Sequence, residues 1–205
     1  STQSITGVGF KPDFVWFKNR TGTNAHALVD SVRGRASTIF SNLTHAATSS
    51  GTSNDLVSFD SNGFTVGSVS NAGSTNTNGG SIVSWLWKGL DHDRNLSAIN
   101  TDGSIPSIVS ANPAAGFSIV NWSATTTGSD TIGHGLLAKP QIIIMKNASS
   151  SSTNWFVYSD IFDGSYDFLY LNTNAAKANS SRNVPTATVF DQGNLGGVSA
   201  GNNCI

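Results

Sequence analysis

Short apolar runs recur along this chain, separated by clusters of Gly, Asn, Ser, Thr and Asp. Residues 14–17 form a continuous apolar run directly after Lys11-Pro12-Asp13, the pattern of a strand buried on both faces. Residues 25–29 and 37–40 read as two further strands. Val57-Ser58-Phe59 and Phe64-Thr65-Val66 flank Asp60-Ser61-Asn62-Gly63, and Asn-Gly between two apolar runs predicts a hairpin. Over residues 81–88, Val83, Trp85 and Trp87 fall on one face and Ile82 and Leu86 on the other, with both tryptophans expected in the core. Residues 68–80, rich in Ser, Asn, Gly and Thr, read as a loop. Residues 89–113 read as a linker with a turn at Thr101-Asp102-Gly103. Further strands are predicted over 117–122, 142–146, 155–158, 168–171 and 187–190. Residues 173–181, with Ala175, Ala176 and Ala178, suggest one helical turn.

These patterns occur twice. Gly7-Val8-Gly9-Phe10, Lys11-Pro12-Asp13 and Phe14-Val15-Trp16-Phe17-Lys18-Asn19 return as Gly133-His134-Gly135-Leu136, Lys139-Pro140-Gln141 and Ile142-Ile143-Ile144-Met145-Lys146-Asn147. Phe40-Ser41-Asn42 returns as Tyr170-Leu171-Asn172, and Phe59-Asp60 as Phe190-Asp191. A long-period repeat outranks any local pattern as evidence of architecture. The expectation is an all-β chain of two repeated β-sandwich units, jelly-roll-like and lectin-like, each about 100 residues. Their bounds are 1–99 and 100–205. Gly201-Asn202-Asn203-Cys204-Ile205 aligns with Gly79-Gly80-Ser81-Ile82-Val83, after which the first unit continues as Ser84-Trp85-Leu86-Trp87. The natural chain is therefore expected to continue past Ile205, or to receive its last strand from elsewhere.

Composition agrees with strands. All twelve acidic residues are Asp, and charged residues make up only 11%. Glu and Lys favour helices, whereas Asn, Gly, Ser and Thr favour turns. The net charge of −1 and the lack of a basic stripe weigh against nucleic-acid binding. No apolar run is long enough to insert into a membrane as a helix. The single cysteine, Cys204, allows no disulfide within the chain and no cysteine zinc site.

The repeated positions are apolar residues, Gly, Pro, Lys and Asn, with no recurring acid–base pair or nucleophile, which points away from an enzyme. His134 lies between two glycines where the first unit has Val8, and reads as structural. Asp91-x-Asp93-x-Asn95 opens like a calcium loop, with Asp102 at the twelfth position. Leu96 stands where the sharp turn wants Gly, so no metal or cofactor is expected. Trp122 and Trp155, flanked by Asn and Ser, and Tyr166, between Ser165 and Asp167, offer flat apolar plates beside hydrogen-bonding groups. Sugars bind such surfaces, which makes these three residues candidate glycan contacts.

Gly9-Phe10-Lys11-Pro12-Asp13-Phe14-Val15-Trp16-Phe17-Lys18-Asn19-Arg20, Leu28-Val29-Asp30-Ser31-Val32-Arg33-Gly34 and Trp85-Leu86-Trp87-Lys88 carry a resemblance. With Asn100-Thr101-Asp102-Gly103 and Gly116-Phe117-Ser118-Ile119-Val120, they resemble a domain family of marine bacteriophages, including phages of cyanobacteria and abundant ocean heterotrophs. The resemblance implies a non-enzymatic virion surface protein of a tail fibre, spike or appendage, made in the host cytoplasm. Its implied partners are copies of itself, other virion proteins and host-surface glycans. A purely structural role in capsid decoration or fibre assembly is the alternative.

Overall fold

The computed structural model describes residues 1–49, 55–67, 75–90, 98–126 and 128–205. The first unit contributes β1 (Gln3–Thr6), β2 (Phe14–Asn19), β3 (Ala27–Asp30), β4 (Ser37–Phe40), β5 (Thr48–Ser49), β6 (Ser58–Asp60), β7 (Gly63–Val66) and β8 (Ile82–Trp87). The second contributes β9 (Ala98–Asn100), β10 (Ser107–Asn112), β11 (Phe117–Ser123), β12 (Thr131–Gly133), β13 (Ile142–Met145), β14 (Phe156–Ser159), β15 (Asp167–Tyr170), β16 (Ala178–Asn179), β17 (Val189–Asp191) and β18 (Asn203–Cys204). One turn of 3₁₀ helix, Pro113–Ala115, is the sole helical element among the described residues. The fold is all-β.

Two antiparallel meanders correspond. In the first unit the sheet order is β5-β4-β3-β2-β8, and in the second β13-β14-β15-β16. The polar residues shared by the two units explain the likeness. Asn42 Oδ1 accepts the His26 backbone N–H at 2.8 Å, as Asn172 Oδ1 accepts that of Trp155 at 2.9 Å. Lys18 Nζ donates to the carbonyls of Gly22 and Asn24, and Lys146 Nζ to those of Ser150 and Thr153. Each lysine closes the loop that leads to the next strand, where carbonyls have no ladder partner.

Each unit has its own core. Val15, Phe17 and Val29 pack against Phe64 and Val66, so the five-stranded sheet covers the β1-β7-β6 sheet. In the second unit Met145, Phe156 and Tyr158 pack against Trp122, Ile132 and Phe190. Leu28 and Ile39 of the first unit meet Trp155 of the second in a third cluster. The predicted hairpin forms with Asp60 opposite Gly63. Gly63 has φ +146°, and a Cβ there would lie 1.9 Å from the Ile5 carbonyl oxygen, so β1 can pair only with glycine at this turn.

The Asp30-x-x-Arg33 motif is a buried ion pair. The guanidinium Nε donates to Asp30 Oδ2 at 2.7 Å, Nη1 to Ser37 Oγ, and the two side chains are 2% and 0% exposed. A buried charge needs such full pairing.

Four expectations change. Residues 173–181 form no helical turn: Ala178 and Asn179 pair with Phe168 and Asp167, and that ladder prevails over the helix preference of alanine. Residues 107–112, read as linker, form β10 between β9 and β11. Because β9 begins at Ala98 and pairs with Ser107–Val109, Ala98 and Ile99 belong to the second unit. Trp85 is 48% exposed, since Ile82 and Leu86, on the opposite face of β8, are the residues that pack on the core.

Lys146 is fully buried, and its Nζ meets four oxygens: the carbonyls of Thr44, Ser150 and Thr153 and the Thr153 hydroxyl, at 2.8–3.1 Å. Burial draws its pKa down to about 8, which still leaves the amine protonated at neutral pH. Lys146→Met strands three carbonyls and is expected to cost about 3 kcal/mol, against about 1 kcal/mol for Lys18→Met at its half-buried site. Urea unfolding of the two variants beside the parent measures the difference.

Candidate functional site

The second unit contains a strand held on both sides. β18 pairs with β11 through Trp122↔Cys204 and Ser123↔Asn203, and meets the end of β13 through Asn147↔Cys204. Lys146 and Ile205 exchange both backbone hydrogen bonds, at 2.7 and 3.0 Å. β18 thus joins the β9-β10-β11 ladder to the β13-β14-β15-β16 meander. Among the described residues, β11 and β13 share no ladder with each other.

Between β11 and β13 lies a groove of about 640 Å³. Phe117, Ile119 and Val120 of β11 line one side, and Ile142, Ile143 and Ile144 of β13 the other. The first unit supplies a further wall from Phe14, Trp16, Leu28 and Ile39. The Phe117 ring stacks on Trp87 of the first unit, centroids 5.8 Å apart, at the mouth of this wall.

The first unit has the corresponding place filled. β8 runs the full length of β2, with Lys18↔Val83, Trp16↔Trp85 and Phe14↔Trp87 in register. Lys146 opposite Ile205 matches Lys18 opposite Val83. Ile144 and Ile142 therefore match Trp16 and Phe14, and they are 43% and 53% exposed. The indole N–H groups of Trp16 and Trp122, two residues that line the groove, are buried without an acceptor. A buried donor left unpaired costs about 1–3 kcal/mol, so an acceptor brought to either indole would be stabilising.

The three residues singled out as glycan contacts are not brought together on a surface. Trp122 is 3% exposed, edge-on to Phe190 in the core. Trp155 is equally buried, and its Nε1–H donates to the Phe40 carbonyl at 2.9 Å, tying the two units together. Tyr166 is half-buried and stacks on Tyr158, which also packs against Phe156 and Phe168 and has the Arg182 guanidinium 4.3 Å from its ring centre. Burial raises the pKa of both tyrosines, that of Tyr158 to about 12, with Arg182 opposing. Neither tryptophan presents a free face of the kind a sugar needs. The Asn and Ser neighbours that suggested binding are engaged within the fold: Asn121 donates to the Cys204 carbonyl, Asn154 Oδ1 accepts from Asn172 Nδ2, and Ser165 Oγ donates to Asp163 and Asp167. The residues that sequence reasoning missed are Ile142 and Ile144, which it read as strand without marking them as exposed.

Asp91, Asp93 and Asn95 lie outside the described residues. Among the described residues no three His, Cys or Asp side chains stand close enough to hold a metal ion. No helix among them is long and apolar enough to cross a membrane. Burial pushes the Cys204 thiol up to about 12, so it stays protonated. His134, also buried, accepts the Leu136 N–H at Nδ1, which leaves its proton on Nε2, facing the Thr186 carbonyl.

Burial is the main cause that holds the His134 pKa below its ordinary 6.5. As pH falls below that value the unfolded chain takes up the proton first. Stability present above it is then lost as pH drops through the folded value. Urea midpoints recorded from pH 7.5 to 5 should fall for the parent and fall less steeply for His134→Gln.

The comparisons with known proteins bear on the family alone. Neither the curated proteins nor the solved structures contain a match to this chain. A family model matches residues 1–205, the whole chain, and its description is a domain of unknown function, DUF7483. The groove, the two equivalent meanders and the lysine clamps thus describe a protein that belongs to the DUF7483 family.

Proposed function

We propose that this protein is a non-enzymatic structural module of a virion surface, in a tail fibre, spike or appendage, that works by holding polypeptide rather than sugar. The observation that carries the reading is the apolar groove flanked by the exposed edges of β11 and β13. An edge strand presents unpaired N–H and C=O groups that another strand can take up. Apolar side chains along such an edge favour protein over a hydrated glycan. The burial of Trp122 and Trp155 supports the same side of the choice. The assignment to a virion rests on the sequence blocks that resemble phage domains.

The test is binding of the labelled protein to intact marine bacteria and to a panel of their surface glycans, alongside sedimentation. No saturable glycan binding is expected, and association that Ile144→Asp removes is expected. Trp155→Ala should lower stability by about 3–5 kcal/mol rather than remove a binding activity selectively. Saturable binding competed by one glycan would overturn the reading.

A further inference from the structure

We propose that Asn78-Gly79 is a site of spontaneous covalent modification, at which the asparagine side chain passes through a cyclic imide to aspartate and its β-linked isomer.

Asn-Gly occurs twice in the chain, at Asn62-Gly63 and at Asn78-Gly79, and the fold treats the two differently. The reaction is an attack by a backbone nitrogen on the carboxamide carbon of the preceding side chain. It needs that nitrogen free of a hydrogen bond, an uncovered side chain, and a backbone able to bring the two together. Glycine suits it because no Cβ shields the nitrogen or narrows its rotation.

Asn62-Gly63 meets none of these needs. Asn62 Oδ1 accepts the Gly9 backbone N–H at 2.7 Å, and the Asn62 carbonyl accepts that of Val8. Gly63 is buried and lies in ladders on both sides, opposite Asp60 on β6 and Thr6 on β1. Movement there would have to break both pairings.

Asn78 and Gly79 are both exposed. The Gly80 N–H donates to the Thr77 carbonyl at 2.9 Å and closes a turn with Asn78 and Gly79 at its centre. That one bond joins the outer residues and leaves the central N–H groups outside it. Among the described residues, neither the Asn78 side chain nor the Gly79 N–H has a hydrogen-bond partner. Gly79 has φ +71°, and nothing lies within 4 Å of the place a Cβ would take. The nitrogen is thus open, and its residue is free to turn.

The chemistry needs water and no other reactant. Base removes the Gly79 amide proton, and the nitrogen adds to Cγ of Asn78. The Cγ–Nδ2 bond breaks, and the side-chain nitrogen takes up a proton and leaves as ammonia. Water then opens the ring at one of its two carbonyls. Opening at one gives aspartate, and opening at the other gives the β-linked isomer, with an extra methylene in the main chain. No atom is oxidised or reduced.

The position gives the change a local effect. Asn78, Gly79 and Gly80 border a second cavity, of about 410 Å³, which Phe17 and Phe64 also line. No Asp, Lys, Arg or His side chain lines it. Conversion sets a carboxylate at this neutral rim and adds one negative charge to a chain of net charge −1.

The test holds the parent protein at mildly alkaline pH and digests samples with chymotrypsin over time. Cleavage after Phe59, Phe64 and Trp85 puts Asn62 and Asn78 in separate peptides. Mass spectrometry follows each conversion, and electron-transfer fragmentation tells aspartate from its β-linked isomer. In the folded protein Asn78 is expected to convert at least about tenfold faster than Asn62, which must wait for its hairpin to open. In concentrated urea the two rates should converge. Asn78→Gln, whose longer side chain would have to close a larger ring, should remove the modification at this position. Asn78 that stays intact in the folded protein, or converts no faster than Asn62, would overturn the inference. Aspartate formed without the β-linked isomer would overturn the cyclic-imide route.

Discussion

The buried ammonium of Lys146 is the interaction on which the arrangement turns. Its oxygens come from the loop after β4 in the first unit and from the turn after β13 in the second. One side chain thus fixes the hairpin that starts the second meander and anchors that hairpin to its neighbour. A lysine can be kept in a dry place only when oxygens replace its water. The backbone of the same residue pairs with Ile205, so the charge that locks the loop also fixes where β18 lies. Once β18 is set there, the separation of β11 and β13 and the shape of the groove follow.

The two units differ in what they do with the same plan. In the first, a long β8 closes the meander, and its tryptophans cover Trp16 and Phe14. In the second, the equivalent edge carries isoleucines, and Trp155 turns inward to bond across to Phe40. Duplication of a sheet can in this way produce a joint. One unit lends its outer face as a wall, and the other lends two strand edges.

Much of the fold was legible because strands with both faces buried read as unbroken apolar runs. Residues 37–40 were predicted at their observed bounds, and the hairpin around Asp60–Gly63 was signalled by its Asn-Gly. The strand at Ser107–Asn112 was hidden because its buried side chains are Ser, Val, Ser and Ala, small residues that imitate a linker. The functional surface was harder to read. A tryptophan flanked by Asn and Ser carries no mark of which way it points. Trp122 and Trp155 became core residues because their sheets have a second layer to pack against. The repeat itself was the better guide. Position-by-position comparison of residues 79–83 with 201–205 aligned Ile205 with Val83, which stand opposite Lys146 and Lys18, although it held no hint that β11 would pair on the other side. That depended on a pairing between Trp122 and Cys204, residues remote in the chain.

A two-residue strand gripped on both flanks also has a mechanical meaning. Tension applied along the chain at Cys204 and Ile205 loads the bonds to β11 and to β13 together, in shear. Bonds loaded in parallel yield at higher force than bonds peeled one after another from a single edge. The junction resists pulling best along its own axis, while a sideways force would open it from the groove end.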